Sequence, residues 1–187
     1  GGAPALAEVL PADIPEEAWF AANRALVGGG LPIDAINAVR KHCSRLKGGQ
    51  LARAALPARV TTLLVSDVIG DDPAVIGSGP TAPDSSRFEE ARAVAARVAD
   101  FPEAIQDHLA RGAGGELAET PKPGELEHVT QAVVASNRQA LQAAAAHLEE
   151  QGMRSLILSA RLQGEAQAVA RPLAAVALET VASGNPV

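Results

Sequence analysis

Residues 60–84 read VTTLLVSDVIGDDPAVIGSGPTAPD, and this stretch decides the fold that we predict. Residues 60–65 are all β-branched or aliphatic and do not alternate with polar residues, a pattern typical of a strand buried on both faces. The strand stops at residues 66–67, and a loop rich in Gly, Asp and Pro follows. Ligands of open α/β sheets bind just beyond the carboxyl ends of strands, so we expect this loop to contribute to a binding site.

The loop carries two kinds of polar group. Asp67, Asp71 and Asp72 provide carboxylates, the ligands that Mg²⁺ prefers. Residues 77–81, Gly-Ser-Gly-Pro-Thr, offer backbone N–H groups and two hydroxyls that suit a phosphate or a carboxylate. The same residue types are ordinary turn formers, so composition alone supports a structural loop equally well.

Length, composition and charge narrow the class of protein. The 187 residues suffice for one domain with a real core, built mostly from small aliphatic residues because only 2% are aromatic. A single cysteine excludes an internal disulfide, and there is no apolar run of about 18 residues to cross a membrane. The net charge of −6 argues against nucleic-acid binding. With no visible signal peptide, we expect a cytoplasmic protein without membrane or nucleic-acid partners, and its oligomeric state stays open.

A basic block precedes the central strand. Residues 35–66 contain no acidic residue but carry Arg40, Lys41, Arg45, Lys47, Arg53 and Arg59. Residues 33–47 are predicted to form one helix that ends at Gly48-Gly49. Its apolar stripe consists of Ile36, Val39, Cys43 and Leu46, and its cationic face of Asn37, Arg40, Lys41, Ser44 and Lys47. A basic block beside an acidic loop suits an anionic ligand plus a metal, although a solvated helix face is the alternative. We interpret Cys43 as a small core residue rather than a nucleophile.

The remaining segments alternate between patterns typical of strands and patterns typical of helices. Strands are predicted at 60–65, 129–135 and 154–159, and further helices at 15–26, 50–55, 87–99, 102–111, 137–150 and 164–182. Ser136-Asn137 is predicted to cap the helix at 137–150. Strand, helix, strand, helix with short connections predicts an α/β fold, namely a three-layer, doubly wound and mainly parallel sheet with helices on both faces.

Several common chemistries are excluded by their missing motifs. The sequence has no Walker-type phosphate loop, no nucleophile elbow and no zinc-like spacing of its four histidines. Residues 77–82 match Gly-x-Gly-x-x-Ala only by letter, because Pro80 interrupts the motif and it lies far beyond the strand. What remains is a cationic helix, an acidic loop and a Gly/Ser/Thr loop, which are the parts that phosphoryl transfer needs.

Two long motifs also resemble those of a known family. Residues 37–49, NAVRKHCSRLKGG, resemble the N-x-V-R-K-H-x-S-x-x-K-G-G signature of the glycerate 2-kinase family, whose members carry a C-terminal MOFRL domain and are also described as hydroxypyruvate reductases. Residues 66–72 and 76–84 resemble its second signature, and 135–137 and 164–166 match weaker positions. The resemblance covers essentially the whole chain. It implies Mg²⁺-dependent transfer of the γ-phosphate of ATP to the 2-hydroxyl of D-glycerate, in a cleft shared with the MOFRL domain.

The resemblance also implies roles for individual residues. It gives catalysis to Asp67, Lys47 and Arg40, and Mg²⁺ binding to Asp67, Asp71 and Asp72. It gives substrate or phosphate binding to Lys41, Ser44, Gly48, Gly49, Gly77, Ser78, Gly79, Thr81, Gly1, Gly2 and Asn137. It gives Asn137 and Glu165 secondary roles at the site. For these two residues, a helix cap and a surface acid, respectively, are equally good interpretations.

The sequence departs from the family pattern at two points. Pro4 replaces a family Ser and removes an N–H, and Arg161 stands where the family tends to be acidic. We expect residues 1–187 to be a partial N-terminal α/β domain, truncated at both ends, without the MOFRL domain and inactive alone. The alternatives are a hydroxypyruvate reductase and an anion-binding module without catalysis.

Overall fold

The structure, a computed structural model that describes residues 7–184, is a mixed α/β chain. Its elements in chain order are α1 (Glu16–Gly28), α2 (Ile33–His42), α3 (Gln50–Ala54), β1 (Val60–Ser66), a 3-10 turn (Ile76–Ser78), α4 (Phe88–Ala95), α5 (Glu103–Ala113), β2 (Val129–Ser136), α6 (Asn137–Glu150) and α7 (Ala166–Ala182). Gly1 and Gly2 lie outside the described residues.

β1 and β2 form a parallel pair. Val60 stands opposite Val129 and Ser66 opposite Ser136, with a shift of register between Leu64 and Val65. The carboxyl ends of the two strands therefore meet at one edge. Both strands were predicted from their apolar pattern, and a parallel sheet from the alternation of strands and helices; the two strands and their parallel orientation are confirmed.

Two details of the sheet differ from the prediction. The strand predicted at 154–159 is wrong, because residues 153–159 form neither helix nor strand. Within residues 7–184 the sheet therefore has two strands, and the three-layer, doubly wound arrangement stays a prediction. β1 is also not buried on both faces, because its exposure alternates and Leu63 and Val65 are 68% and 66% exposed. A strand is buried on both faces only when other elements cover both faces of its sheet, and no described element covers Leu63.

The core lies among the first helices rather than around the sheet. α2 packs against α4, α4 against α5, and α1 against α5. Leu26, Val39, Ile105 and Leu109 are fully buried between them. Cys43 also has no exposed surface, which confirms it as a core residue, and burial raises the pKa of its thiol.

α2 is shorter than predicted, because it ends at His42 and not at Lys47. The Ser44 hydroxyl accepts hydrogen bonds from the N–H groups of Leu46 and Lys47, at 3.1 and 3.0 Å. A serine side chain that captures nearby N–H groups in this way competes with helix continuation. Ser44 and Lys47 therefore lie in a turn and do not share a helix face with Arg40, contrary to the prediction.

Between residues 7 and 184 no helix is both long and apolar enough to cross a membrane.

The contact between α4 and α5 depends on one glycine. A Cβ atom at Gly112 would stand 2.2 Å from Cδ1 of Phe88, a ring that is 3% exposed and whose centroid lies 4.5 Å from that of His42. We expect Gly112→Ala to lower the free energy of unfolding by about 2 kcal/mol, because overpacking outweighs the better helix propensity of alanine. Urea denaturation would measure this change.

Gly114→Ala is the matched control, since a Cβ atom there approaches no atom closer than 3.4 Å. Its free energy of unfolding should stay within about 0.5 kcal/mol of the unmodified protein. Equal effects of the two substitutions would contradict the packing argument.

Candidate functional site

A cleft of about 520 Å³ opens at the carboxyl edge of the parallel pair, and we call it the strand-end cleft. It is lined by residues 65–71 at the end of β1 and in the loop after it, by residues 135–138 and 140 where β2 meets α6, and by Ala160 and Arg161. The loop after β1 thus lies at the edge where the sequence predicted a binding site. The cleft brings together Asp67, Asp71 and Asn137.

The two aspartates enter this cleft from a sharply turned loop. Asp71 has a φ of 55° and follows Gly70 with a φ of 91°, a left-handed conformation that aspartate tolerates better than most residues. Within residues 7–184 no three His, Cys, Asp or Glu side chains are placed to hold a metal ion together. Mg²⁺ commonly takes only one or two carboxylates and completes its shell with water and phosphate oxygens, so Asp67 and Asp71 fit it.

Asp72 does not join them, although the sequence grouped all three. Its Oδ1 accepts a hydrogen bond from the N–H of Ala74 at 2.9 Å, and the residue lines a different cleft. Consecutive residues in a turn point in different directions, which separates Asp72 from Asp71.

The amino end of α6 forms the opposite wall of the strand-end cleft. Ser136 caps it, because the serine Oγ accepts a hydrogen bond from the N–H of Gln139 at 3.4 Å. The Asn137 side chain donates to the carbonyl of Ala160 at 3.5 Å and so holds the loop that leads to α7. Arg138 and Arg161 add positive charge to the lining. Glu165 is exposed at the start of α7 and does not line this cleft.

A second cleft of about 310 Å³ contains two of the predicted cations, and we call it the Glu8 cleft. Its lining residues are Glu8, Trp19, Phe20, Asn23, Arg40, Lys47 and Ser78. Nε of Arg40 donates to Oδ1 of Asn23 at 2.9 Å. Burial lowers the pKa of the Arg40 guanidinium, and the negative charge of Glu8 partly opposes this.

Glu8 is the acidic partner that the sequence interpretation missed. Its carboxylate accepts hydrogen bonds from the Ser44 hydroxyl and from Nζ of Lys47. The predicted pair of Ser44 and Lys47 is therefore brought together, but around a carboxylate of the protein itself. Glu8 lies 36 and 39 residues away from them in the chain, so no local pattern could have revealed the contact.

Lys41 lies apart from Arg40 and Lys47. Its Nζ stands 3.1 Å from Oδ1 of Asp84, and the two residues are 8% and 1% exposed. The other Asp84 oxygen accepts from Oγ1 of Thr120 at 3.0 Å. Lys41 lines a third cleft with Asp72. Because Arg40 and Lys41 are neighbours on a helix, their side chains diverge by about 100°.

Residues 77–81 pack on the glycine turn that follows α2. The N–H of Gly48 donates to the carbonyl of Ser78 at 2.9 Å, and that of Gly49 to the carbonyl of Gly79 at 2.7 Å. The N–H groups of Ser78 and Gly79 donate to the carbonyls of residues 75 and 76, both at 3.0 Å. Four N–H groups expected to face an anion are thus bonded within the protein.

The hydroxyls of this loop are also engaged. Oγ of Ser78 donates to Oδ1 of Asn37 at 3.2 Å, and Oγ1 of Thr81 accepts from Thr62 at 2.9 Å and from Gln131 at 3.2 Å. Gly77 has a φ of 62° inside the 3-10 turn, a conformation that favours glycine. Residues 77–81 therefore have a structural role, and anion binding by them stays a prediction.

The buried ion pair gives a pH-dependent prediction. Burial alone would raise the pKa of Asp84, but the charge of Lys41 and hydrogen bonds from Lys41 and Ser86 outweigh it and hold this pKa below its usual value. A lowered pKa stabilises the folded state above the unfolded-state pKa of about 4, and this contribution disappears as pH falls through the folded-state pKa. We expect Asp84→Asn to lower the free energy of unfolding by about 3 kcal/mol at pH 7, because it leaves Lys41 buried without a counter-charge.

Urea denaturation between pH 7 and pH 2.5 would measure this difference, which should narrow below about pH 4. Asp107→Asn, at an exposed position of α5, is the control and should change stability little. A difference that does not vary with pH would contradict the ion-pair explanation.

Comparisons with known proteins identify relatives of this chain. The family described as a domain of unknown function, DUF4147, matches residues 1–110. A protein of Agrobacterium vitis with a provisional hydroxypyruvate reductase name is 45% identical over 168 residues, which cover 89% of this chain and 37% of that protein. The glycerate 2-kinase of Pyrococcus horikoshii is 34% identical over 190 residues, covering all of this chain and 42% of the kinase.

A solved structure shows the same relationship. The crystal structure of glycerate kinase from Thermotoga maritima superimposes with a TM-score of 0.73 at 33% identity, over 84% of this chain and 36% of that one. The chain thus spans well under half the length of these relatives. Its mixed α/β fold with a parallel strand pair is that of glycerate kinase structures. Since the match covers more than half of the 187 residues, the chain belongs to the DUF4147 family and is related to proteins named glycerate kinase and hydroxypyruvate reductase.

Proposed function

We propose that this chain supplies one wall of the active site of a cytoplasmic glycerate kinase that also contains a MOFRL domain. The proposed reaction transfers the γ-phosphate of ATP to the 2-hydroxyl of D-glycerate and gives 2-phosphoglycerate. The observation that carries the proposal is the strand-end cleft, where Asp67 and Asp71 face the amino end of α6 at the carboxyl edge of parallel strands. The names of the kinase relatives support it.

Asp67 and Asp71 hold Mg²⁺ in this proposal. Mg²⁺ held by these two carboxylates would supply positive charge against the phosphate oxygens, which is the main requirement of phosphoryl transfer. The amino end of α6 and the guanidinium groups of Arg138 and Arg161 attract the phosphates from the other wall. Asp67 also orients the 2-hydroxyl of glycerate for attack. Asn137 keeps this wall in place through its bond to Ala160.

The cations around Glu8 bind an anionic group, a carboxylate or a phosphate, in this proposal. Ser44 and Lys47 already bind a carboxylate, and Arg40 lines the same cleft. Lys41 acts at a distance from the substrate, because its charge is committed to Asp84. Residues 1–187 alone are expected to be inactive, since the MOFRL domain would supply the opposite side of the active site.

A hydroxypyruvate reductase is the second candidate, and the provisional name of the Agrobacterium relative favours it. A reductase of this kind needs a nicotinamide site, whose glycine motif lies between a strand and a helix. Residues 77–82 instead begin in a 3-10 turn, well after β1 has ended. The geometry therefore favours the kinase.

The experiment uses the full polypeptide that the gene encodes, with ATP, Mg²⁺ and D-glycerate. ADP release would be followed by a coupled assay and the phosphoglycerate isomer identified by ³¹P NMR. We expect Asp67→Asn to lower kcat/KM by about 100-fold or more, because it removes a carboxylate from the metal and the hydroxyl. Asp72→Asn is the control and should stay within about threefold, since Asp72 lines another cleft.

The other outcomes separate the candidate functions. NADH oxidation with hydroxypyruvate, and no ADP release, would replace the kinase by the reductase. Binding of D-glycerate without turnover of either kind would indicate the anion-binding module. Equal losses in the two aspartate variants would contradict the proposal that Asp67 acts in catalysis and Asp72 does not.

A further inference from the structure

Two donors that hold Glu8 are arranged to bind a carboxylate: Lys47 lines the Glu8 cleft, and Ser44, which lines another cleft, contacts the same carboxylate. The Ser44 hydroxyl accepts N–H bonds from Leu46 and Lys47, at 3.1 and 3.0 Å. Because these two bonds use its acceptor positions, its single hydrogen is directed outward, toward Oε1 of Glu8. The Lys47 ammonium donates to the other Glu8 oxygen. Both oxygens of one carboxylate are thereby held by a preorganised hydroxyl and a cation.

The charges of this cleft are shielded from water. The Lys47 side chain is 7% exposed and that of Glu8 is 16% exposed. Arg40 lines the same cleft and feels the negative charge of Glu8. Charges act more strongly on one another here than at the surface, because little water screens them. The carboxylate of Glu8 therefore neutralises much of the positive potential that an incoming anion would meet.

We propose that Glu8 is an internal carboxylate that occupies the anion-binding donors Ser44 and Lys47 and has to be displaced by the anionic ligand. The proposal rests on the proposed function and adds a residue that sets its ligand affinity and selectivity. A ligand exchanges with Glu8 only if it offers an equivalent charge, as a carboxylate or a phosphate does. Neutral sugars and alcohols cannot replace that charge and are rejected.

The local backbone permits this exchange. Residues 7–11 form neither helix nor strand. The N–H of Arg45 donates to the carbonyl of Val9 at 2.8 Å, which fixes the main chain next to Glu8. The carboxylate faces a cleft of about 310 Å³, which leaves room for a small ligand. A rotation of the Glu8 side chain is then enough to release Ser44 and Lys47 while the fold is kept.

Glu8→Gln tests this role in the full polypeptide. Glutamine has the same shape and keeps one acceptor oxygen, so it can accept a hydrogen bond from Ser44 or from Lys47 but not from both, and the negative charge is lost. Calorimetric titration with D-glycerate and with inorganic phosphate should give dissociation constants about tenfold lower than those of the unmodified protein. The ligand whose affinity increases more, D-glycerate or phosphate, indicates whether a carboxylate or a phosphate is the natural occupant.

Glu149→Gln is the matched control, because it removes the same charge from an exposed position of α6. It should leave both dissociation constants unchanged. Unchanged or weaker binding by Glu8→Gln would overturn the proposal, since it would make Glu8 a constituent of the binding site or a purely structural partner of Lys47.

A second measurement uses the unmodified polypeptide. A crystal structure with phosphate bound at Lys47 should show the Glu8 side chain rotated away from Ser44 and Lys47. Phosphate seated at Lys47 with Glu8 still in place would overturn the proposal. The kinase assay is scored separately: turnover with no effect of Glu8→Gln refutes only the displacement, whereas no turnover and no anion binding in either protein refutes the proposed function as well.

Discussion

The close backbone contact between the glycine turn after α2 and the loop after β1 is the constraint on which the site depends. Gly48 and Gly49 donate their N–H groups to the carbonyls of Ser78 and Gly79, at 2.9 and 2.7 Å. A Cβ atom at Gly49 would stand 2.9 Å from the carbonyl oxygen of Ala82, and one at Gly79 would stand equally close to that of Ala74. Only glycine permits this approach, and it joins the basic turn to the acidic loop.

The buried ion pair closes the same contact from the side of α2. A Cβ atom at Gly48 would lie 3.0 Å from Cβ of Lys41, so the glycine turn rests on the lysine stem. Nζ of Lys41 then pairs with Asp84, which Ser86 and Thr120 also hold by hydrogen bonds. Burying two charges is costly unless their remaining hydrogen bonds are made. Because those bonds are made here, Lys41 is a fixed structural charge.

The elements that the sequence predicted well are those with a local signal. β1, β2 and the Ser136 cap follow from apolar pattern and capping chemistry within a few residues. The early end of α2 also had a local signal, namely Ser44, because a serine side chain can accept hydrogen bonds from nearby backbone N–H groups and so compete with the helix. The prediction followed the helical spacing of the apolar residues instead, and therefore placed Ser44 on a helix face with Arg40.

Partners distant in the chain could not be predicted in this way. Glu8 reaches Lys47 across 39 residues, and Asp84 reaches Lys41 across 43. The burial of a strand face likewise depends on which elements cover it, as the exposed Leu63 demonstrates. The sequence named many of the charged residues that line these clefts, but not Glu8 or Arg138, and their division among three clefts follows from tertiary contacts.

That division bears on how an anion is recognised. A backbone N–H makes one strong hydrogen bond, and those of Gly48, Gly49, Ser78 and Gly79 already donate to carbonyls at 2.7 to 3.0 Å. A phosphate at the glycine loop would have to break these bonds, and with them the contact that holds the site together. At Lys47 it would have to displace only one side-chain carboxylate. In the proposed function, anion recognition therefore rests on side-chain charge and on the amino end of α6, and the glycines bring these groups into position.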